Sequence, residues 1–190
     1  MSDSAFSIDP SHPFAAALNP TRLVSHSLAD DGRIPNNPRF ALAIYPGVLR
    51  LSREGRSAAA FVQDLFHENG WAGSWVNGVF SYHHFHAKAH EVLGCFDGRA
   101  TVLFGGENGV EVDILAGDAV VIPAGVGHKN LGCSSDFGVV GAYPPGQSPD
   151  MKYGEPDERP RCLEEIALVD SPETDPVYGA GGPLLKLWRN

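Results

Sequence analysis

The sequence has little charge, and most of the charge that it carries is negative. Charged residues make up 19% of the 190 residues, below the roughly 25% of an average soluble protein. Lys and Arg number 14 against 23 Asp and Glu, which gives a formal net charge of −9, and the basic residues do not cluster. Such a surface repels phosphate backbones and anionic headgroups, so we expect no nucleic-acid partner and no membrane association.

A long apolar run and a cysteine framework are also missing. No apolar stretch reaches the roughly 18–20 residues of a membrane-spanning helix, and residues 1–20 lack the basic start and apolar middle of a signal peptide. The three cysteines, Cys95, Cys133 and Cys162, are an odd number without zinc-type spacing. We therefore expect reduced thiols and a cytoplasmic location.

Glycine and proline, in contrast, are abundant, with 22 and 15 residues. Many turns and few charged helical faces favour an all-β fold. One segment, residues 57–69, has the apolar spacing of a helix, with Ser57 as N-cap and Gly70 at the C-terminal cap. Short apolar segments between Gly, Asn and Asp turns predict strands over residues 40–45, 74–87, 91–96, 99–104, 110–115, 119–122, 128–131 and 137–143.

The length predicts one domain with short appendages. We expect an N-terminal tail over residues 1–20 and a β-barrel domain over residues 21–146 that includes the helix. Residues 147–190 form a proline-rich C-terminal extension, whose apolar end around Leu184 and Trp188 should pack on the barrel. A disordered linker is the alternative for this extension, because biased composition is also typical of disorder.

Histidines are concentrated in one short segment. Four of the eight fall within eight residues: His83, His84, His86 and His90. Because side chains alternate along a strand, Tyr82, His84 and His86 are predicted to share one face. Glu91 opens the next predicted strand, so its carboxylate can return to the same interior.

His128 completes a candidate metal site. It follows the Pro-Ala-Gly-Val-Gly turn at residues 123–127, which delivers its side chain at a strand start. Together with His84, His86 and Glu91 it forms a set of three imidazoles and one carboxylate. This set suits one divalent transition metal: Fe, Mn, Ni, Cu, Co or Zn. On an octahedral ion, four protein ligands leave two positions open, which is typical of a catalytic site.

The spacing of these residues resembles the two motifs of the cupin superfamily. The first motif contains Gly78, His84, His86, Glu91 and Gly98, and the second contains Gly117, Pro123, Gly125 and His128. One departure is that Asn130 lies two residues after the last histidine, where the family has asparagine four residues after it. The resemblance implies a small β-barrel, or jelly roll, with a flanking helix and a metal held by the four predicted ligands.

A narrower resemblance covers nearly the whole chain. Residues 31–37, Trp71, Trp75, residues 77–78 and residues 141–146 are similar to the YjlB-type bacterial single-cupin family. That family implies a fold and a metal site, without naming a reaction. Cupin barrels commonly dimerise, so we expect a homodimer, with the segment 40–45 pairing with a sheet edge of the neighbour.

Five further residues are candidates for the site. His90 and Tyr82 are candidate catalytic residues for proton transfer, although an exposed turn histidine and a core tyrosine are the alternatives. Trp75, Asn130 and Cys95 are candidate substrate-pocket residues. For these three the alternatives are core packing, a strand-end cap and a small buried hydrophobe.

The open positions on the metal favour a metalloenzyme that acts on a small organic molecule. Fe(II)-dependent dioxygenase chemistry is the leading hypothesis, because adjacent open positions can hold substrate and dioxygen together. A Mn-, Ni- or Zn-dependent isomerase, lyase or epimerase is the first alternative. A non-catalytic small-molecule binding or sensing module is the second. The predicted interior has few cations, which disfavours a phosphorylated substrate.

Overall fold

The computed structural model describes residues 5–6, 8–52 and 57–189, and these ranges contain nine strands. They are β1 (Val24–His26), β2 (Leu42–Tyr45), β3 (Ala72–Asn77), β4 (Glu91–Asp97), β5 (Arg99–Phe104), β6 (Val110–Leu115), β7 (Ala119–Ile122), β8 (His128–Cys133) and β9 (Gly138–Tyr143). One antiparallel sheet has six strands in the order β1-β2-β7-β4-β9-β3, and the other has three in the order β6-β5-β8. This is the all-β, jelly-roll architecture that the sequence predicts.

Three α-helices flank the sheets: α1 (Ala58–Glu68), α2 (Arg161–Ala167) and α3 (Pro183–Arg189). Helix α1 coincides with the predicted helix, and the Ser57 side chain caps it by accepting a hydrogen bond from the Ala60 amide at 3.1 Å. Helices α2 and α3 lie in the C-terminal extension. No helix in the described ranges is long and apolar enough to cross a membrane.

The central strands of the six-stranded sheet, β2, β7, β4 and β9, are buried on both faces. Along β4, Leu93 packs into the core between the two sheets, while Val92 packs on the opposite face, in the cluster that includes helix α1. Gly94 lies where this helix comes closest. A Cβ there would lie 2.6 Å from Val62 and 2.9 Å from Phe66, so only glycine allows this approach. The alternation also directs Glu91 inward, on the same face as Leu93.

Two predictions of strand geometry are wrong. The strand predicted over residues 74–87 ends at Asn77, and beyond it only His84 and Phe85 make single bridges, to His128 and Lys152. The segment 40–45 contains β2, which already has β1 on one side and β7 on the other. Its backbone groups are therefore paired within the chain, and it cannot add to the sheet edge of a neighbour.

Both ends of the chain contact the barrel. Near the N-terminus, Leu18 is buried and bridges Leu49. In the C-terminal extension, Leu184 and Trp188 are buried in the same core cluster as Val92. The extension therefore covers the outer face of the six-stranded sheet, while the site described next lies between the sheets.

Candidate metal centre and cavity

Three buried imidazoles meet between the two sheets. His84 and His86 lie in the connection from β3 to β4, and His128 is the first residue of β8. The backbones of His84 and His128 pair, with the His128 amide donating to the His84 carbonyl at 2.9 Å. One ring nitrogen from each of the three histidines lies within 4.8 Å of those of the other two. These nitrogens could hold a metal ion.

The Glu91 carboxylate faces the same point. Its Oε2 atom lies 3.5 Å from Nε2 of His86 and 3.5 Å from Nε2 of His128. Glu91 is only 2% exposed, and its other oxygen, Oε1, has no hydrogen-bond partner among the described residues. A buried carboxylate oxygen without a partner is costly, which indicates that this site is built for a further group.

Backbone carbonyls set the tautomers of the three histidines. The Nδ1 atoms of His84, His86 and His128 face the carbonyl oxygens of Tyr82, Asp150 and Val126, respectively. A carbonyl oxygen only accepts hydrogen bonds, so each Nδ1 must carry the proton. Each neutral ring therefore keeps its lone pair on Nε2, directed towards the site, as in histidines that bind metals.

The electrostatics of the centre are uneven. Burial lowers the pKa of His84 and holds the pKa of His128 well below its usual value. Burial also acts to lower the pKa of His86, but the neighbouring Glu91 carboxylate outweighs it, so that this pKa is raised. The centre thus contains two imidazoles that stay neutral and one beside a negative charge.

This arrangement fits a divalent cation. Neutral Nε2 atoms and a carboxylate oxygen are all acceptors, so a cation between them offsets their repulsion. His86, whose pKa Glu91 raises, must lose its proton to take part. Ligands at about 2.1 Å from an ion and at right angles to each other lie roughly 3 Å apart. The separations of 3.5 Å between Oε2 of Glu91 and Nε2 of His86 and His128 are close to that spacing.

Two asparagines support the turn that delivers His128. Asn37 donates from Nδ2 to the Ala124 carbonyl at 2.8 Å, and the Gly127 amide is 3.4 Å from Oδ1 of Asn36. Asn36 has a positive φ of 54°, which asparagine tolerates better than most residues. The sequence analysis missed this role, for which the Asn-Asn pair between two prolines was the available signal.

A cavity of about 120 Å³ opens beside the candidate ligands. Apart from these ligands, its wall includes Trp75, Val79, Phe80, Leu93, Tyr143 and Met151. Trp75 was expected to line the pocket from the sequence, and it lies in this wall. The other five were not singled out, because three elements distant in sequence bring them together: the 78–80 loop, the ends of the barrel strands, and the C-terminal extension.

Tyr143 is the hydroxyl-bearing side chain of this wall. Its hydroxyl oxygen accepts a hydrogen bond from Nε1 of Trp75 at 2.8 Å, and the Trp75 ring lies against Gly141, where a Cβ would collide with it. Burial raises the pKa of Tyr143, and the charge of Glu91 raises it further. The hydroxyl group therefore stays protonated at neutral pH.

The structure places His90 outside the site. Its Nδ1 accepts from the Ala124 amide at 2.9 Å, and its Nε2 donates to the Asp170 carbonyl at 3.1 Å. The ring packs edge-on against Phe40 and beside Trp188 on the outer face of the sheet. Burial lowers the pKa of His90 to about 3. A neutral ring with both nitrogens hydrogen-bonded cannot shuttle protons. The structure therefore contradicts the catalytic role predicted for His90.

Three other candidates also lie outside the cavity wall. Tyr82 is 44% exposed because the chain has left the sheet there, and it stacks on Phe80 with ring centroids 5.0 Å apart. The Asn130 side chain accepts a hydrogen bond from the Gly132 amide, and the backbone amide of Asn130 donates one to the Phe80 carbonyl. Cys95 is buried in the core between the sheets, and burial raises its thiol pKa to about 12.

Two antiparallel sheets that enclose three buried histidines are the arrangement that the resemblance to the cupin motifs implies. Over 159 residues, the chain is 45% identical to a Bacillus subtilis (strain 168) protein named "Uncharacterized protein YjlB"; the match covers 84% of this chain and 92% of that protein. The chain therefore belongs to the YjlB family. No protein-family model matches it.

Solved structures with similar folds are distant in sequence. One is the dTDP-4-dehydrorhamnose 3,5-epimerase from Elizabethkingia anophelis NUHP1, at 13% identity and a TM-score of 0.39, covering 65% of this chain and 73% of that chain. Another is the acireductone dioxygenase from Bacillus anthracis with a cadmium ion in its active centre, at 16% identity and a TM-score of 0.34, covering 64% and 76%. These similarities carry no argument about substrate or reaction.

Proposed function

We propose that this protein is a metal-dependent enzyme that acts on a small organic molecule. His84, His86, Glu91 and His128 would hold one divalent transition metal: Fe, Mn, Ni, Cu, Co or Zn. The observation that carries the proposal is the convergence of three Nε2 lone pairs and a buried carboxylate at the floor of a cavity. A purely structural cluster would not need a cavity beside it.

Fe(II)-dependent dioxygenase-type chemistry is the leading proposal for the reaction. Four protein ligands leave room for substrate and dioxygen, which the bound metal would orient and activate. The alternative is a Mn-, Ni- or Zn-dependent isomerase, lyase or epimerase, in which the metal would polarise a carbonyl group. In either case the apolar wall excludes water, and Tyr143 presents a protonated hydroxyl group beside the substrate.

The first test is elemental analysis of untagged protein purified without oxygen or chelator. We expect close to one equivalent of metal per chain, and loss of that metal in His128→Ala without loss of the β-sheet signal in circular dichroism. His67→Ala is the matched control, because His67 is exposed on α1, away from the site. Iron would favour the dioxygenase proposal, whereas manganese, nickel or zinc would favour Lewis-acid chemistry.

Three results would contradict the enzyme proposal. Full-length protein that contains no metal, and takes none up when each ion is supplied, would leave a non-catalytic binding or sensing cupin as the better proposal. Metal that stays bound in His128→Ala would show that it binds elsewhere. Unfolding of His128→Ala would assign the site a structural role.

A cytoplasmic homodimer remains part of the proposal. Cys95, Cys133 and Cys162 are all free thiols, which suits a reducing compartment. Among the described strands, β1 and β3 are the outer strands of the six-stranded sheet, so their edges are the candidates for pairing with a second copy. Light scattering that gives a monomer mass at high concentration would contradict the dimer, and secretion would contradict the location.

A further inference from the structure

The size of the cavity limits what it can hold. Its volume is about 120 Å³, and an apolar cavity of about 150 Å³ holds one benzene molecule. The space beside the candidate ligands therefore suits a molecule with one ring, part of which extends towards the mouth. A sugar attached to a nucleotide is much larger than this space.

The chemistry of the wall limits the class of molecule further. Apart from the candidate metal ligands, its larger side chains are Trp75, Val79, Phe80, Leu93 and Met151, together with Tyr143. None of the described residues in this wall is Lys or Arg, the usual partners of a phosphate group. A phosphorylated molecule would thus bring about two negative charges to a wall that offers no cation beyond the metal.

Flat rings form two sides of this space. The Trp75 indole is held in place by its hydrogen bond to Tyr143 and by the gap at Gly141. Phe80, which is 40% exposed, stacks on Tyr82 with an interplanar angle of 10° and lies edge-on to His84 with centroids 5.2 Å apart. Rings held in this way favour a flat ligand, because aromatic pairs gain from stacked or edge-to-face contact.

Tyr143 adds one directional polar group. An indole N–H only donates, so the Tyr143 oxygen is the acceptor in its bond with Trp75, and its own proton remains available to a second partner. That proton lies on the side of the cavity and of Glu91, whose carboxylate is a competing acceptor for it. An oxygen atom on a bound molecule could accept it there, next to the metal.

We propose that this cavity binds a one-ring aromatic or similarly flat apolar molecule with an oxygen acceptor, which the Tyr143 hydroxyl holds, and that it rejects phosphorylated molecules. The proposal deepens the function proposed above and rests on the same metal site. It assigns a ligand-binding role to Tyr143, whereas the sequence predicted Tyr82 as the tyrosine of the site, in a catalytic role.

Binding of matched probes to the full-length protein tests the proposal, with the metal content of each sample measured first. The probes are benzoate, phenyl phosphate and toluene, which share the ring and differ in the polar group. Calorimetry and the tryptophan fluorescence, to which Trp75 contributes, report binding without any need for activity. We expect saturable benzoate binding and at least about tenfold weaker phenyl phosphate binding, a difference of about 1.4 kcal/mol.

Two variants isolate the hydroxyl group. Tyr143→Phe should weaken benzoate binding by about 3- to 10-fold more than toluene binding, which corresponds to one hydrogen bond to the ligand. A loss common to both probes reports the loss of the Trp75 hydrogen bond. Tyr153→Phe is the matched control, because Tyr153 is 42% exposed and outside the cavity wall. A structural role of Tyr143 would weaken both probes equally, so equal losses, or no loss for benzoate, would overturn the assignment of Tyr143.

The remaining outcomes separate this proposal from the metal proposal. Metal-loaded protein that binds neither benzoate nor toluene, or that binds phenyl phosphate as tightly as benzoate, overturns the ligand class and leaves the metal site intact. Protein that takes up no metal but still binds benzoate through Tyr143 overturns the metal site and supports the ligand class.

Discussion

The imidazole of His86 donates its Nδ1 proton to the backbone carbonyl of Asp150, a residue 64 positions further along the chain. The same Asp150 accepts hydrogen bonds from the amides of Ala87 and Lys88 through Oδ1, at 2.7 and 3.2 Å. Asp150, in the segment after β9, is thus hydrogen-bonded to residues 86–88 through both its backbone and its side chain. It helps to set the tautomer of a candidate ligand.

This contact predicts that Asp150→Ala weakens metal binding although Asp150 is not a ligand. The variant leaves two amides without their acceptor, so the carbonyl that orients His86 is no longer held. Loss of such outer partners reduces metal affinity by roughly 10- to 100-fold. Competition with a chromogenic chelator measures the affinity. Asp113→Ala is the control. Asp113 is exposed on β6 and accepts a hydrogen bond from Thr101, so its loss should leave the metal affinity unchanged.

Glu91→Gln should separate metal affinity from stability. The amide keeps the size of the side chain but removes the negative charge, so metal affinity should fall by at least about 10- to 100-fold, the loss seen even for outer partners. In the unaltered protein, Nε2 of His86 faces an acceptor oxygen of Glu91. The amide of the variant can donate to this nitrogen, so the stability of the metal-free protein should not fall.

Isothermal titration with metal and urea unfolding of the metal-free protein measure the two effects of Glu91→Gln. Glu111→Gln, on the exposed face of β6, is the control for a simple loss of charge. A variant that binds metal as tightly as the unaltered protein would remove Glu91 from the ligand set.

His90→Ala should reduce stability and leave the metal in place. The change removes a ring packed on Phe40 and Trp188, and it leaves the Ala124 amide and the Asp170 carbonyl without their partner. Such losses cost about 2–4 kcal/mol of the free energy of unfolding. Urea unfolding gives this value, and elemental analysis gives the metal content. Loss of metal from a folded variant would restore His90 to the site.

The three thiols should differ in reactivity. Cys133 is exposed, whereas Cys95 and Cys162 are buried, and burial raises the pKa of both buried thiols, that of Cys95 to about 12. Because the thiolate is the reactive form, one thiol per folded chain should react rapidly with dithionitrobenzoate at about pH 8. All three should react in denaturant, and none rapidly in folded Cys133→Ser. Rapid labelling of Cys95 would show that it is accessible from the cavity.

Local pattern was sufficient for much of the sheet structure. The strands predicted over residues 99–104, 110–115 and 119–122 coincide with β5, β6 and β7, because Gly, Asn and Asp turns separate them clearly. The pattern failed after Asn77. Aromatic residues continue to alternate there, but the chain leaves the sheet, and alternation alone does not show whether a strand has a partner.

The sequence by itself determined the composition of the centre: the spacing of three histidines and a glutamate in two motifs predicted that they would converge. Their predicted position on one strand face was wrong, because His84 and His86 lie in a connection. Only the tertiary structure decided what surrounds them. His90 is next to Glu91 in the chain yet lies on the opposite face of the sheet, while Tyr143 reaches the cavity because β9 pairs with both β3 and β4. Local sequence sets which way a side chain points, whereas its neighbours depend on long-range strand pairing and packing.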